Sequence, residues 1–361
     1  MKKITLYFIP LLFIWIAGCN TPDPAIQQDI NAANEVLKSY VEEYNIPGMS
    51  VSVYRDGKMI WSKGYGYLDV ENQVPVDPAS TLFRIGSVSK TYTAAGAALL
   101  YQEGELDPKE PVQTYVPDFP TKEYVITVEQ VAGHIAGIRH YRGDEFMSDK
   151  KYTSITEGLE IFKDDTLLFE PGTDYSYSSY GWNLISAVME GASGQEFLPF
   201  METQVFDRLN MENTLPDHAD QDIQNRTLFY TYNDSTETNE SAPYVDNSYK
   251  WAGGGFLSTT EDMIKFWEAH LSGGFLTTET LDHFMAPLQT SDGESTGYGF
   301  GWSTFIDSEG NEWKGHSGGS VGGSTMFFLH RKNGVVIAFA INRGGVPMTD
   351  LRDELAKIFI D

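Results

Sequence analysis

Ser87-Val88-Ser89-Lys90 sets a hydroxyl and an amine three residues apart, just ahead of Ala94, Ala95, Ala97, Ala98, Leu99 and Leu100. That small-residue run reads as a tightly packed, buried helix. At a helix start the spacing puts serine and lysine one turn apart on one face, so the amine can take the hydroxyl's proton and leave a nucleophilic oxygen. A lysine does this only when neutral, which requires burial or cationic neighbours to lower its pKa. The pattern alone is weak, because ordinary residue frequencies give about one match by chance in a chain this long. A second match stands at Ser148-Asp149-Lys150-Lys151, in a charged, loop-like stretch. Context therefore favours Ser87.

Other chemistries fit less well. Gly315-His316-Ser317-Gly318-Gly319 and Gly318-Gly319-Ser320-Val321-Gly322 both fit the G-x-S-x-G elbow of a parallel-sheet hydrolase. That arrangement needs an acid and then a histidine after the serine, and only His330 follows Ser320, with no acid between them. The seven histidines (His134, His140, His218, His270, His283, His316 and His330) form no H-E-x-x-H pattern, so no metal site is expected. There is no P-loop, and Gly253-Gly254-Gly255 reads as a tight backbone contact.

The elements that must position these groups follow from periodicity. Helical spacing runs from Ala25 to Tyr44, with Pro47-Gly48 beyond it. Met49 to Tyr54 and Met59 to Trp61 flank Arg55-Asp56-Gly57-Lys58, an Asp-Gly hairpin signal. Gly181 to Glu190 and Glu261 to Leu271 read as helices, and residues 233 to 247 as a solvated excursion. Thr325 to Leu329 and Val335 to Ile341 are strands around Arg331-Lys332-Asn333-Gly334, and Met348 to Ile360 is a closing helix. This order predicts an α+β fold: one antiparallel sheet, built from both ends of the chain and flanked by helices, with an inserted all-helical lobe. The boundaries are about 28–88 plus 250–361 for the sheet lobe and about 89–249 for the helical lobe, with the cleft at their junction.

The 361 residues carry 25 basic and 51 acidic side chains, a net charge of −26, which argues against nucleic-acid binding. Lys2 and Lys3 precede an uncharged apolar run, Ile4 to Ile16, too short to span a membrane before polar Asn20. Residues 1–18 read as a secretion signal. Ile16-Ala17-Gly18-Cys19 resembles the bacterial lipobox, which implies cleavage before Cys19, the single cysteine, and lipid attachment to it. Residues 19–27 would then be a tether, and the protein would be exported and lipid-anchored to a bacterial membrane, facing periplasm or cell exterior.

Two further motifs complete a pattern. Pro171-Gly172 is followed by Tyr175-Ser176-Tyr177-Ser178-Ser179-Tyr180-Gly181, and His316-Ser317-Gly318 stands further on. Together with Ser87 and Lys90 they resemble the serine β-lactamase-related hydrolases: class C β-lactamases, D-alanyl-D-alanine carboxypeptidases and related esterases. Supporting matches are Gly133 to Ile138, Ala252 to Thr259 and Tyr298 to Trp302. His140-Tyr141 and Asn247 to Trp251 look most like the mitochondrial branch and its bacterial relatives. The resemblance runs from about residue 30 to the C-terminus. It departs at Ser179, where the family's Y-x-N motif has asparagine; that side-chain amide would contact the substrate's acylamide and the lysine, and a hydroxyl offers fewer partners.

The resemblance implies that Ser87 attacks a carbonyl to give an acyl-enzyme released by water. Lys90 and Tyr177 share the proton work, and which of them is the base stays open at this point. Backbone N–H groups of Ser87 and Gly319 form the oxyanion hole beside Gly318. His316 and Ser317 orient the intermediate or a substrate carboxylate, and Ser179 lines the substrate site. No cofactor is called for. The substrate is a small peptide, an ester or a β-lactam, with efficient β-lactam turnover disfavoured by Ser179. The alternative is a sensor lipoprotein that acylates with penicillin, or holds wall fragments, without turnover.

Overall fold

The computed structural model describes residues 23–271 and 273–360; Cys19 and the expected signal segment lie outside them. Asp23 caps the first helix, Pro24–Glu43, accepting from Ala25 N–H at 2.9 Å, and proline at the first helical position costs no hydrogen bond. A seven-stranded sheet follows, in the order Val74–Pro75, Lys58–Asp69, Gly48–Arg55, Val335–Ile341, Gly323–His330, Glu312–Ser320 and Ser303–Ile306. Every neighbouring pair is antiparallel. The two ends of the chain meet where Met49 to Tyr54 pair with Ile341 to Val336. In the Asp56-Gly57 turn both residues take positive φ, as a tight hairpin requires, whereas in the Arg331–Gly334 loop only Gly334 does.

Alternation along the central strands separates two cores. Val335, Ile337, Phe339 and Ile341 face the first helix and the last, Thr349–Ile360. Val336, Ala338 and Ala340 face the other way, onto helix Thr260–Leu271 and the inserted part. Thr260 joins that helix to the sheet through buried hydroxyl contacts with Ser50 (2.6 Å) and Ser52 (2.8 Å).

The inserted part is built around helix Ser89–Gln102, buried from Ser89 to Leu100. Its small residues permit close packing: a Cβ on Gly96 would lie 2.8 Å from Met189 Cε. Helix Ser179–Ser193 and the short helix Trp251–Gly254 pack against it. The insertion also carries the hairpin Tyr230–Asn233/Thr238–Ser241, and Leu215–Pro216 pairs with Phe256–Ser258. The stretch expected to be solvated, residues 233 to 247, is exposed or half-buried as far as Tyr244 and buried only at its end. Val245, Asp246 and Asn247 are buried, because Asn247 hydrogen-bonds into the core through Asp217.

Candidate active site

Ser87 lies in a 3-10 turn, Gly86–Val88, that runs straight into helix Ser89–Gln102. The helical spacing brings Lys90 Nζ to 2.9 Å from Ser87 Oγ. Lys90 is wholly buried; its Nζ donates to the Gly253 carbonyl at 2.6 Å and lies 3.2 Å from Ser179 Oγ. Among the described residues no carboxylate forms an ion pair with it. The other Ser-x-x-Lys is different in kind, since exposed Lys151 pairs with Asp220 at 2.5 Å and is held charged.

Tyr177 arrives from an irregular segment just before helix Ser179–Ser193, and its hydroxyl donates to Ser87 Oγ at 2.8 Å. Ser178 caps that helix, accepting from Gly181 N–H at 3.1 Å. The N–H groups of Ser178 and Ser179 would be orphan donors at a helix start. They donate instead to Nδ1 of His134 and Nδ1 of His140, each at 3.1 Å. Both imidazoles lean on the Tyr177 ring, with centroids 4.3 and 5.6 Å away. Ser178 Oγ also donates to the Arg139 carbonyl at 2.6 Å, and Ser176 N–H to that of His134 at 2.9 Å. The segment from His134 to His140 thus holds Tyr177 by its backbone. His134 adopts a left-handed φ of 65° to do so, a conformation uncommon outside glycine.

The third wall is strand Glu312–Ser320. It meets the serine turn backbone to backbone, at a distance that only glycine permits. A Cβ on Gly318 would lie 1.9 Å from the Ile85 carbonyl oxygen, and one on Gly86 (φ 50°) would lie 2.6 Å from that of Gly319. Gly319 itself faces open space at the cleft. Ser317 is exposed, and His316 is buried beside Tyr177 with ring centroids 6.2 Å apart. His316 donates from Nδ1 to the Ser317 carbonyl and accepts at Nε2 from Tyr298 hydroxyl at 2.8 Å. Both its nitrogens are taken, and no hydrogen bond joins it to Ser87.

The nucleophile-elbow alternative has no support here. The strand carrying Ser317 and Ser320 belongs to an antiparallel sheet and turns into another strand, not a helix. Ser320 Oγ donates to the Gly323 carbonyl at 3.3 Å.

Comparison with known proteins agrees with this fold. The profile of the beta-lactamase family matches residues 33–359. The chain belongs to the beta-lactamase family. The mitochondrial serine beta-lactamase-like protein LACTB of Homo sapiens is 31% identical over 83% of this chain and 72% of its own length. The D-aminopeptidase of Gluconobacter oxydans is 27% identical over 71% of this chain and 48% of its own. Among solved structures, the D-amino acid amidase of Ochrobactrum anthropi SV3 superposes with a TM-score of 0.78 at 22% identity, over 92% of this chain and 98% of that one. The expected fold class therefore holds, and the chain is of the serine hydrolase type within that family.

In this member of the beta-lactamase family the cleft is about 290 Å³, lined by Ser87, His140, Tyr141, Phe146, Tyr177, Ser179, Lys250, Gly253, Gly254 and Gly319. Its electrostatics are set by burial. Desolvation, then the charge of Lys250, holds Lys90 well below the usual lysine range. Desolvation pushes the Tyr177 phenol up, against the opposing hydrogen bond to Ser87. Lys250 is itself buried and brought down to about 7, by desolvation and then by Arg84. Its ammonium lies over the rings of Phe146 (4.4 Å), Tyr249 (5.1 Å) and Tyr141 (5.7 Å).

Sequence reasoning placed Ser87, Lys90, Tyr177 and Ser179 in one site, and the fold brings these four together beside Gly319. It assigned nothing to His134, His140, Lys250, Tyr298 or the Gly253 carbonyl. Each lay inside a motif matched for resemblance, but its partner is a backbone group, a ring face or a distant side chain, which no local pattern encodes.

Proposed function

We propose that the protein is an exported, lipid-anchored serine hydrolase that acts through an acyl-enzyme on a small amide or ester, with D-amino-acid or cell-wall peptides preferred to β-lactams. The observation that carries this reading is the contact at Ser87 Oγ: Lys90 Nζ at 2.9 Å and Tyr177 hydroxyl at 2.8 Å, with Lys90 buried and no counter-ion beside it among the described residues. A neutral Lys90 amine has two N–H donors and one lone pair. The Gly253 carbonyl can only accept, Ser179 Oγ takes the second N–H, and the lone pair is left for the Ser87 proton. Tyr177, protonated because burial raises it, donates to the same oxygen. Lys90 is then the base of acylation.

In the first step Ser87 passes its proton to Lys90 while Oγ bonds to the substrate carbonyl carbon. The oxyanion sits on the N–H groups of Ser87 and Gly319, an arrangement typically worth about 10²–10³ in rate. Collapse breaks the bond to the amine or alkoxide, which takes the Tyr177 proton, and Lys90 returns its proton to Tyr177. Water then attacks the acyl carbon by the same route, restoring Ser87. His316 supports this site through Tyr298. A D-aminopeptidase among the relatives supports the peptide reading; Cys19 behind a lipobox-like segment supports tethering.

Intact mass followed over time with a fluorophosphonate, a penicillin and a short-chain ester tests the reading on wild type and Ser87→Ala. The expected result is a wild-type adduct absent from Ser87→Ala, with the ester adduct decaying. An adduct that persists with every substrate would favour the sensor, and labelling of Ser87→Ala would remove Ser87 from the site. Loss of the membrane-bound fraction in Cys19→Ala tests the anchor.

A further inference from the structure

Two side chains line the cleft with donor groups that nothing in the described residues satisfies, His140 and Lys250. The tautomer of His140 follows from its neighbour. Ser179 N–H donates to Nδ1 at 3.1 Å, so Nδ1 presents its lone pair and the neutral ring carries its proton on Nε2. No hydrogen bond engages that Nε2 among the described residues. The Nε2 of His134 is sealed in the interior, but that of His140 is not, and the ring lines the cleft beside Ser87 and Ser179.

Position 179 explains why a donor is needed there. Ser179 is buried, and its hydroxyl oxygen lies 3.2 Å from Lys90 Nζ. It faces the amine and is too short to reach further, so the residue two after Tyr177 offers no side-chain N–H to a substrate. A peptide-like acyl group brings an amide carbonyl close to the scissile bond. Burying that oxygen without a donor forfeits its hydrogen bonds to water and costs affinity.

We infer that His140 Nε2–H binds the acylamide carbonyl oxygen of the substrate, so that the site selects acyl groups carrying an amide one carbon from the scissile carbonyl over plain acyl chains. The inference rests on the hydrolase reading above and adds the substrate class to it. One imidazole thereby does two things: Nδ1 fixes the start of the tyrosine helix and Nε2 reads the substrate. The groups around the ring are the amines of Lys90 and Lys250, the carboxylate of Glu145, and the phenols of Tyr141 and Tyr177. Desolvation, with the neighbouring amines adding to it wherever they are charged, brings the ring down to about 4, so it remains a neutral donor above pH 6.

The test compares kcat/KM for the phenyl esters of N-acetylglycine and of pentanoic acid, which match in chain length and differ in the amide. Their ratio does not depend on how much of the enzyme is active. In His140→Asn the side-chain oxygen can still accept from Ser179 N–H, but nothing reaches the cleft; the ratio should fall about tenfold, the value of one hydrogen bond. An unchanged ratio overturns the inference. In wild type the ratio should stay flat from pH 6 to 9. A ratio that falls through pH 7 assigns the contact to Lys250 and also overturns it. The pH series can overturn the inference even where the variant fails to fold. If wild type hydrolyses neither ester and Ser87 takes no acyl group, the hydrolase reading falls, and this inference with it.

Discussion

The Gly253 carbonyl oxygen accepts from Lys90 Nζ at 2.6 Å, closer than either serine hydroxyl at that nitrogen. This contact holds the amine in place in either protonation state, while burial makes the charged state costly. Lys90→Met should cut Ser87 acylation by about 10²–10⁴, the usual worth of a general base. It should also stabilise the fold. A lysine held below its ordinary pKa binds fewer protons folded than unfolded, so wild-type stability rises with pH up to the ordinary lysine range. The gain in Tm from Lys90→Met should therefore be larger at pH 6 than at pH 9, as thermal unfolding at the two pH values would reveal.

Tyr177→Phe removes one hydroxyl and leaves the ring between His134 and His140. The fold should persist, with kcat down by about 10²–10⁴. The loss should be greater for an anilide than for a phenyl ester, because an amine leaving group depends more on the proton that Tyr177 supplies. Equal losses on both would place Tyr177 outside the leaving-group step.

Lys250 carries its charge into the cleft, and that charge helps to lower Lys90. Activity needs Lys90 neutral, so kcat/KM should rise with pH as Lys90 deprotonates. Lys250→Met fits a cage of three aromatic rings and removes the repulsion. The Lys90 pKa should then rise, moving the acid limb of the profile to higher pH. A limb that stays put would mean that Lys90 does not set it.

What could be read in advance divides along a physical line. Ser87 and Lys90 are one helical turn apart, and a single chain segment fixes that relation. The strands at the two ends advertise themselves by apolar, β-rich runs on either side of Asp-Gly and Asn-Gly turns, and their meeting follows from needing partners on both edges. Tyr177 and Gly319 needed motif resemblance, because an irregular segment carries the one and a strand far along the chain carries the other to Ser87. His134 and His140 stayed silent for a different reason. They bind backbone N–H groups, and an amide is the same at every residue, so nothing in the sequence marks positions 178 and 179 as their targets. The orientation of His316 toward Tyr298 depends on a side-chain packing choice of the same hidden kind.

Asp217 anchors the turn from behind. Fully buried, it accepts from Arg84 Nε at 2.6 Å, Asn247 Nδ2 at 2.8 Å and Arg226 at 3.2 Å, and Arg84 lies two residues before Gly86. Removing one partner of a buried pair leaves the other charge uncompensated, which typically costs about 3–5 kcal/mol. Asp217→Ala should lower unfolding stability by that amount in urea titration. A loss below about 1 kcal/mol, the range of surface ion pairs, would show that water reaches Arg84.

Gly318 tests whether the closeness of strand and serine turn matters to the chemistry itself. An added Cβ would sit 1.9 Å from the Ile85 carbonyl oxygen and 3.2 Å from Ser87 N, both backbone atoms that no rotamer change can move aside. In Gly318→Ala the strand must therefore withdraw from the turn. Gly319, the next residue, withdraws with it, and the two N–H groups proposed for the oxyanion separate. Misplacing such a donor by about 1 Å can cost about 10² in rate. The expected result is a drop of that order in kcat for a phenyl ester. Fluorophosphonate labelling should slow in parallel, because phosphonylation needs the same two donors. Undiminished labelling would take Gly319 out of the oxyanion hole and leave Ser87 N–H in need of another partner.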